Sequence, residues 1–164
     1  MINASEITKS FGNLQVLKGI SLKIAAGEVV SIVGVSRAVK TTLLQILGTL
    51  SKQDSGTIDI NGINTNQLNG SKLARFRNQN IGFVFQYFNL ISPLNALENV
   101  MEPLKLMGIK KTEAKKLAYE ALERVNMTDR ANGLPKNLSG GQQRRVAIAG
   151  VLAMEPEVLI LDEP

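Results

Sequence analysis

Residues 28–50 read EVVSIVGVSRAVKTTLLQILGTL, and the reading of this stretch decides the fold class. Residues 28–33 are almost continuously apolar, the pattern of a strand buried on both faces in a parallel sheet. A loop follows at once, and within residues 41–50 Leu43, Leu44, Ile46 and Leu47 fit one face of a helix. Strand, glycine-initiated loop and helix form the setting of a phosphate-binding loop. In such a loop backbone N–H groups curl round phosphates, a lysine neutralises charge and a hydroxyl ligates Mg2+. Gly34, Lys40 and Thr41 match the pattern G-x-x-x-x-G-K-[ST]; Val39 stands where its second glycine would be.

Working outward, residues 5–8 and 14–24 read as strands parted by the Gly12-Asn13 turn signal, and Ala26-Gly27 marks the next turn. Residues 57–60, Asn61-Gly62 and Ile63 predict a tight antiparallel hairpin, because Asn-Gly tolerates the positive φ the turn needs. Residues 81–86 predict another strand, and Phe83, Phe85, Tyr87 and Phe88, alternating through an apolar strand pattern, read as core. Residues 111–126 predict an amphipathic helix with Leu117, Ala118, Ala121, Leu122 and Val125 as its stripe. A second helix runs from Ser139 or Gly140 to Met154, stopped by Pro156, and residues 158–161 form a last apolar strand. The alternation predicts one α/β domain over residues 1–164 with a mainly parallel core sheet and an N-terminal antiparallel element.

Composition narrows the chemistry. The chain of 164 residues has no cysteine and no histidine, which excludes disulfides and thiolate-bound metals and leaves carboxylates, lysine and hydroxyls to act. Its net charge of +5 suits an anionic partner, but the basic residues are scattered and only 4% of residues are aromatic. No basic and aromatic stripe marks a nucleic-acid surface, so no nucleic-acid partner is expected. The N-terminus has no basic start followed by an apolar stretch, and no run reaches about 18 apolar residues. A soluble, cytoplasmic chain is the expectation.

Two further motifs follow the loop in order: LSGGQ at residues 138–142 and VLILDEP at residues 158–164, with Gln86 between them and the loop. Together they make the chain resemble the nucleotide-binding domain of ABC transporters, a P-loop ATPase fold, over essentially its whole length. The segment LARFRNQNIGFVFQYFNLISPLNALENV is similar to the branch serving lipoprotein-releasing, macrolide-exporting and cell-division permeases. The resemblance implies ATP and Mg2+ as ligands, and hydrolysis that drives transport. It also implies a homodimer beside an integral-membrane permease on the inner face of the cell membrane.

Residue by residue, the resemblance gives Phe11 the adenine-stacking role and Gly34, Ser36, Lys40, Thr41 and Thr42 the phosphate loop, with Thr41 also on the metal. Gln86 matches a glutamine that touches metal and coupling surface. Ser139, Gly140, Gly141 and Gln142 match the signature that closes on the nucleotide of the opposite subunit. Asp162 matches the Mg2+ carboxylate and Glu163 the carboxylate that polarises the attacking water.

The loop departs from the family pattern G-x-S-G-[SA]-G-K-[ST]-T at Arg37 and Val39. Glycine there permits positive φ or close phosphate approach, and another residue in a left-handed conformation costs roughly 1–2 kcal/mol. Weak or absent ATP binding is expected. Gly150 also stands inside the signature helix where the family commonly has arginine. Family members continue beyond the Asp162-Glu163 pair, so the domain is expected to be incomplete at its C-terminus. The rival readings are a non-catalytic remnant with impaired nucleotide binding and a soluble ABC-type ATPase acting on nucleic acid or the ribosome.

Overall fold

A computed structural model describes residues 1–34 and 36–163, Arg37 by its backbone alone. The chain divides into two compact units, Met1–Ala74 and Arg75–Pro164.

In the first unit, β1 (Ile2–Phe11), β2 (Leu14–Ile24), β3 (Ser55–Ile60) and β4 (Ile63–Asn64) form a four-stranded sheet in the order β2-β1-β3-β4. Every pairing in it is antiparallel. Alternation buries Ile2, Ala4 and Ile7 of β1 together with Ile58 and Ile60 of β3. The β3–β4 hairpin turns on Asn61 and Gly62 at φ of 51° and 81°, the paired positive values that the Asn-Gly signal promises. Helix α1 (Arg37–Leu47) buries Leu43, Ile46 and Leu47 and packs on β2.

The expected strand at residues 28–33 does not form. None of the described strands pairs with it, and Val29 and Val33 are 97% and 86% exposed. A strand needs a neighbour to satisfy its N–H and C=O groups, so an apolar run alone does not make one. Thus the larger sheet is antiparallel, and the parallel pairing lies in the second unit.

There, α2 (Gly70–Asn80) leads into β5 (Ile81–Val84), followed by α3 (Ala96–Leu106), α4 (Lys111–Arg124), α5 (Gly140–Ala153) and β6 (Val158–Leu161). Helices α3, α4 and α5 enclose a core of Val100, Leu104, Ala118, Leu122, Val146 and Ala149. In α4 the buried face is Ala114, Ala118, Ala121 and Leu122, with Leu117 and Val125 half-buried at its margins, close to the expected stripe. Strands β5 and β6 pair in parallel, Ile81 with Val158 through Val84 with Leu161.

Strand β5 ends at Val84, shorter than expected, so Phe85, Tyr87 and Phe88 follow it in irregular chain. None of these aromatics is fully buried, and Tyr87 is 78% exposed, which corrects their assignment to the core. Helix α5 lies so close to β5 that a Cβ on Gly82 would sit 2.4 Å from Val151 Cγ1 and 2.7 Å from Pro156 Cγ. Gly82→Ala should therefore destabilise the chain by about 1–3 kcal/mol, the usual cost of overpacking, as read from urea denaturation.

Candidate functional site

The first unit carries Phe11 and the phosphate-loop residues. Helix α1 begins at Arg37, four residues before the expected start at 41, and Gly48 ends it. Among the described residues of 34–42 none has a positive φ. From Arg37 onward, through Val39 and Lys40, the chain is helical. Ser36 sits at the N-cap in extended conformation without a side-chain cap. Lys40 lies inside the helix, its backbone N–H 3.4 Å from the Ser36 carbonyl and its ammonium donating to the Gly34 carbonyl at 2.7 Å. Thr42 is buried in α1 beside Leu43, and Thr41 is half-buried. The side chain of Arg37 lies outside the described residues, as do Val35 and Pro164.

Phe11 ends β1 at the Gly12-Asn13 turn and is 55% exposed. Lys9, two residues back on the same strand face, holds its ammonium 5.5 Å from the ring centroid. Asp54 accepts from Lys9 Nζ at 3.0 Å and from the Ser10 N–H at 2.6 Å. The Lys9 hydrogen bond, and then the Ser10 N–H, hold the Asp54 carboxyl below its ordinary value of 3.8.

The second unit places the segments that carry Gln86 and Asp162 side by side. Both follow the carboxyl ends of adjacent parallel strands, and the Asp162 N–H donates to the Val84 carbonyl at 3.0 Å, extending the ladder by one bond. Asp162 is buried and Gln86 half-buried, while Glu163 is exposed at φ 49°. Carboxyl ends of parallel strands are where α/β sheets place ligands, because loops there can converge on one crevice.

The LSGGQ segment starts α5. Ser139 is its N-cap, with the Gln142 N–H donating to Ser139 Oγ at 3.3 Å and the Ser139 N–H to Gln142 Oε1 at 2.8 Å. Gln143 Nε2 donates to the Pro135 and Leu138 carbonyls, both at 3.0 Å, fixing the approach to the helix. Gly140 and Gly141 then present a bare first turn, at the positive end of the helix dipole. Phe88 lies under the Arg144 guanidinium, 5.6 Å from it, and 3.9 Å from where a Gly140 Cβ would stand.

Helix α3 and the loop before it escaped the sequence reading. Asn95 and Glu98 form a capping box, with N–H to side-chain bonds of 2.9 and 2.8 Å. Asn99 ties down residues 91–95 through the Ile91 N–H and the Ile91, Leu94 and Asn95 carbonyls. The N-x-x-E spacing at residues 95–98 is the signal that could have found this helix.

Comparison with known proteins bears on the family of the chain. A family model described as ABC transporter matches residues 17–164. The lipoprotein-releasing system ATP-binding protein LolD of Bacteroides thetaiotaomicron is 52% identical over 164 residues, all of this chain and 75% of that protein. The protein of the same name from Porphyromonas gingivalis is 48% identical over the same span of this chain and 75% of its own. Among solved structures, the dimeric bacterial ABC transporter cassette MJ0796 superposes with a TM-score of 0.92 at 42% identity, covering 98% of this chain and 73% of that one. Another structure of the cassette, a dimeric post-hydrolysis state bound to ADP and Pi, gives 0.91 at 41% identity, over 98% of this chain and 73% of that chain.

Removing the Ser139 hydroxyl leaves a first-turn N–H without its acceptor. Ser139→Ala should cost about 0.5–2 kcal/mol in urea denaturation, whereas Ser139→Asp, which keeps an acceptor at the N-cap, should cost far less.

Proposed function

The chain belongs to the ABC transporter family as an ATP-binding subunit that drives transport, and we propose the following division of labour among its residues. Phe11 stacks on adenine; Lys40 neutralises phosphate charge; and Gly34, Ser36 and Thr42 bound the phosphate loop. The bare first turn of α5 at Ser139, Gly140 and Gly141, with Gln142 in its cap, faces the γ-phosphate held by a second copy of the chain, since a helix N-terminus with close backbone approach favours an anion. Glu163 orients the attacking water and accepts its proton. The observation that carries this reading is the extended β5–β6 ladder, which sets buried Asp162 beside the segment of Gln86 and leaves exposed Glu163 next in the chain.

The family pattern gives each unit by itself candidate Mg2+ ligands: Thr41 in the first, Gln86 and Asp162 in the second. Their oxygens are the hard donors that ion takes. Mg2+ supplies charge neutralisation at the phosphates.

Among the described residues no helix is long and apolar enough to cross a membrane. We place the subunit on the cytoplasmic face as a homodimer paired with an integral-membrane permease, a reading supported by its likeness to ATP-binding proteins of lipoprotein-releasing systems and to dimeric cassettes. Matches to ATP-binding proteins over the whole chain disfavour the non-catalytic remnant. The changes at 37 and 39 bear on affinity, which this reading expects them to lower.

ATP hydrolysis at millimolar Mg-ATP tests the assignment. Glu163→Gln should lower turnover by roughly a hundred- to ten-thousandfold, the usual contribution of a general base, and leave ATP binding intact. Equal turnover in both proteins would remove Glu163 from the role.

A further inference from the structure

Phe11 does not stand alone at the end of β1. The period of two along a strand puts Lys9 on the same face, and the Lys9 ammonium covers the ring 5.5 Å from its centroid. That lysine is itself held. Asp54 immediately precedes β3 and donates its own N–H to the Thr8 carbonyl at 2.9 Å, so the antiparallel pairing of β1 with β3 brings its carboxylate to the lysine. One carboxylate oxygen accepts from Lys9 Nζ at 3.0 Å and the other from the Ser10 N–H at 2.6 Å. The Lys9 side chain is 17% exposed, more enclosed than a surface lysine requires, while the ring beside it stays open.

We propose that Lys9 and Asp54 are a positioning pair for base recognition: the ammonium, anchored by the carboxylate, occupies one face of the Phe11 ring and leaves the other face as the only one open to a purine. This rests on the reading of Phe11 as the stacking platform and goes beyond it. The pair acts in two ways. It limits the ring's rotation, so that less freedom is lost when a base stacks. It also places positive charge against one π-face, which makes the opposite face a better partner for an electron-rich base. Neither residue reaches phosphate in this role, so their effect depends on the base alone.

The test compares Mg-ATP with Mg-tripolyphosphate, which has no base, by calorimetry on the whole chain and on Lys9→Met, Lys9→Arg, Asp54→Asn and Phe11→Ala. Lys9→Met and Asp54→Asn should weaken ATP about two- to fivefold and leave tripolyphosphate unchanged, with Lys9→Arg restoring ATP affinity because it keeps the cation. Phe11→Ala should weaken ATP about fivefold or more. If Phe11→Ala weakens ATP and Lys9→Met does not, the positioning pair is overturned and the platform stands. Loss of tripolyphosphate affinity in Lys9→Met would place the lysine on phosphate and also overturn the proposal. If Phe11→Ala changes nothing, the platform reading fails and the pair falls with it. Lys9→Arg and Asp54→Asn, which keep the size of the side chains, guard against a loss of fold in the other variants.

Discussion

The parallel ladder between β5 and β6 is the constraint on which the second unit depends. Its strands are far apart in sequence, so it forms only when the chain between them returns through α3, α4 and α5, whose own apolar faces meet in one core. Gly82 lets α5 approach β5 closely enough to complete that return. The Asp162 N–H to Val84 carbonyl bond then carries the pairing one residue past both strands and fixes where the Gln86 and Asp162 segments begin. Backbone hydrogen bonding, rather than contact between functional side chains, brings those segments together.

Where the sequence was legible, local chemistry and tertiary packing agree. The helix expected to start at Ser139 or Gly140 does start there, with Ser139 as its N-cap; Asn61-Gly62 reads as a positive-φ turn and is one; the stripe of α4 is buried nearly as its 3.6-residue spacing requires. Residues 28–33 show the limit of such reading. Apolar continuity says that a segment could be buried between neighbours, but the pairing partner is a non-local fact that periodicity does not contain. The aromatic run at residues 83–88 misled for a related reason, since alternation persists past the point where the ladder stops. Lys9 and Asp54 were invisible as a pair because the strand pairing that joins them spans 45 residues of sequence.

The phosphate loop is where local propensity and function conflict. Helix formers at residues 37–47 extend α1 toward Gly34, and the lysine expected to meet phosphate instead donates to that glycine's carbonyl. For a nucleotide to recruit the backbone N–H groups, this turn must rearrange through conformations that valine resists more than glycine. Binding energy spent on that rearrangement does not appear as affinity.

Titration of Mg-ATP into the chain and into its Arg37→Gly/Val39→Gly variant, followed by calorimetry, tests the central claim most directly: an ATP-binding subunit whose phosphate loop is weakened by its own helical propensity. Binding by both, with the variant roughly ten- to a thousandfold tighter, is the predicted result. Equal affinity in the two proteins would contradict the account of the loop, and binding by neither would contradict the assignment of the nucleotide site.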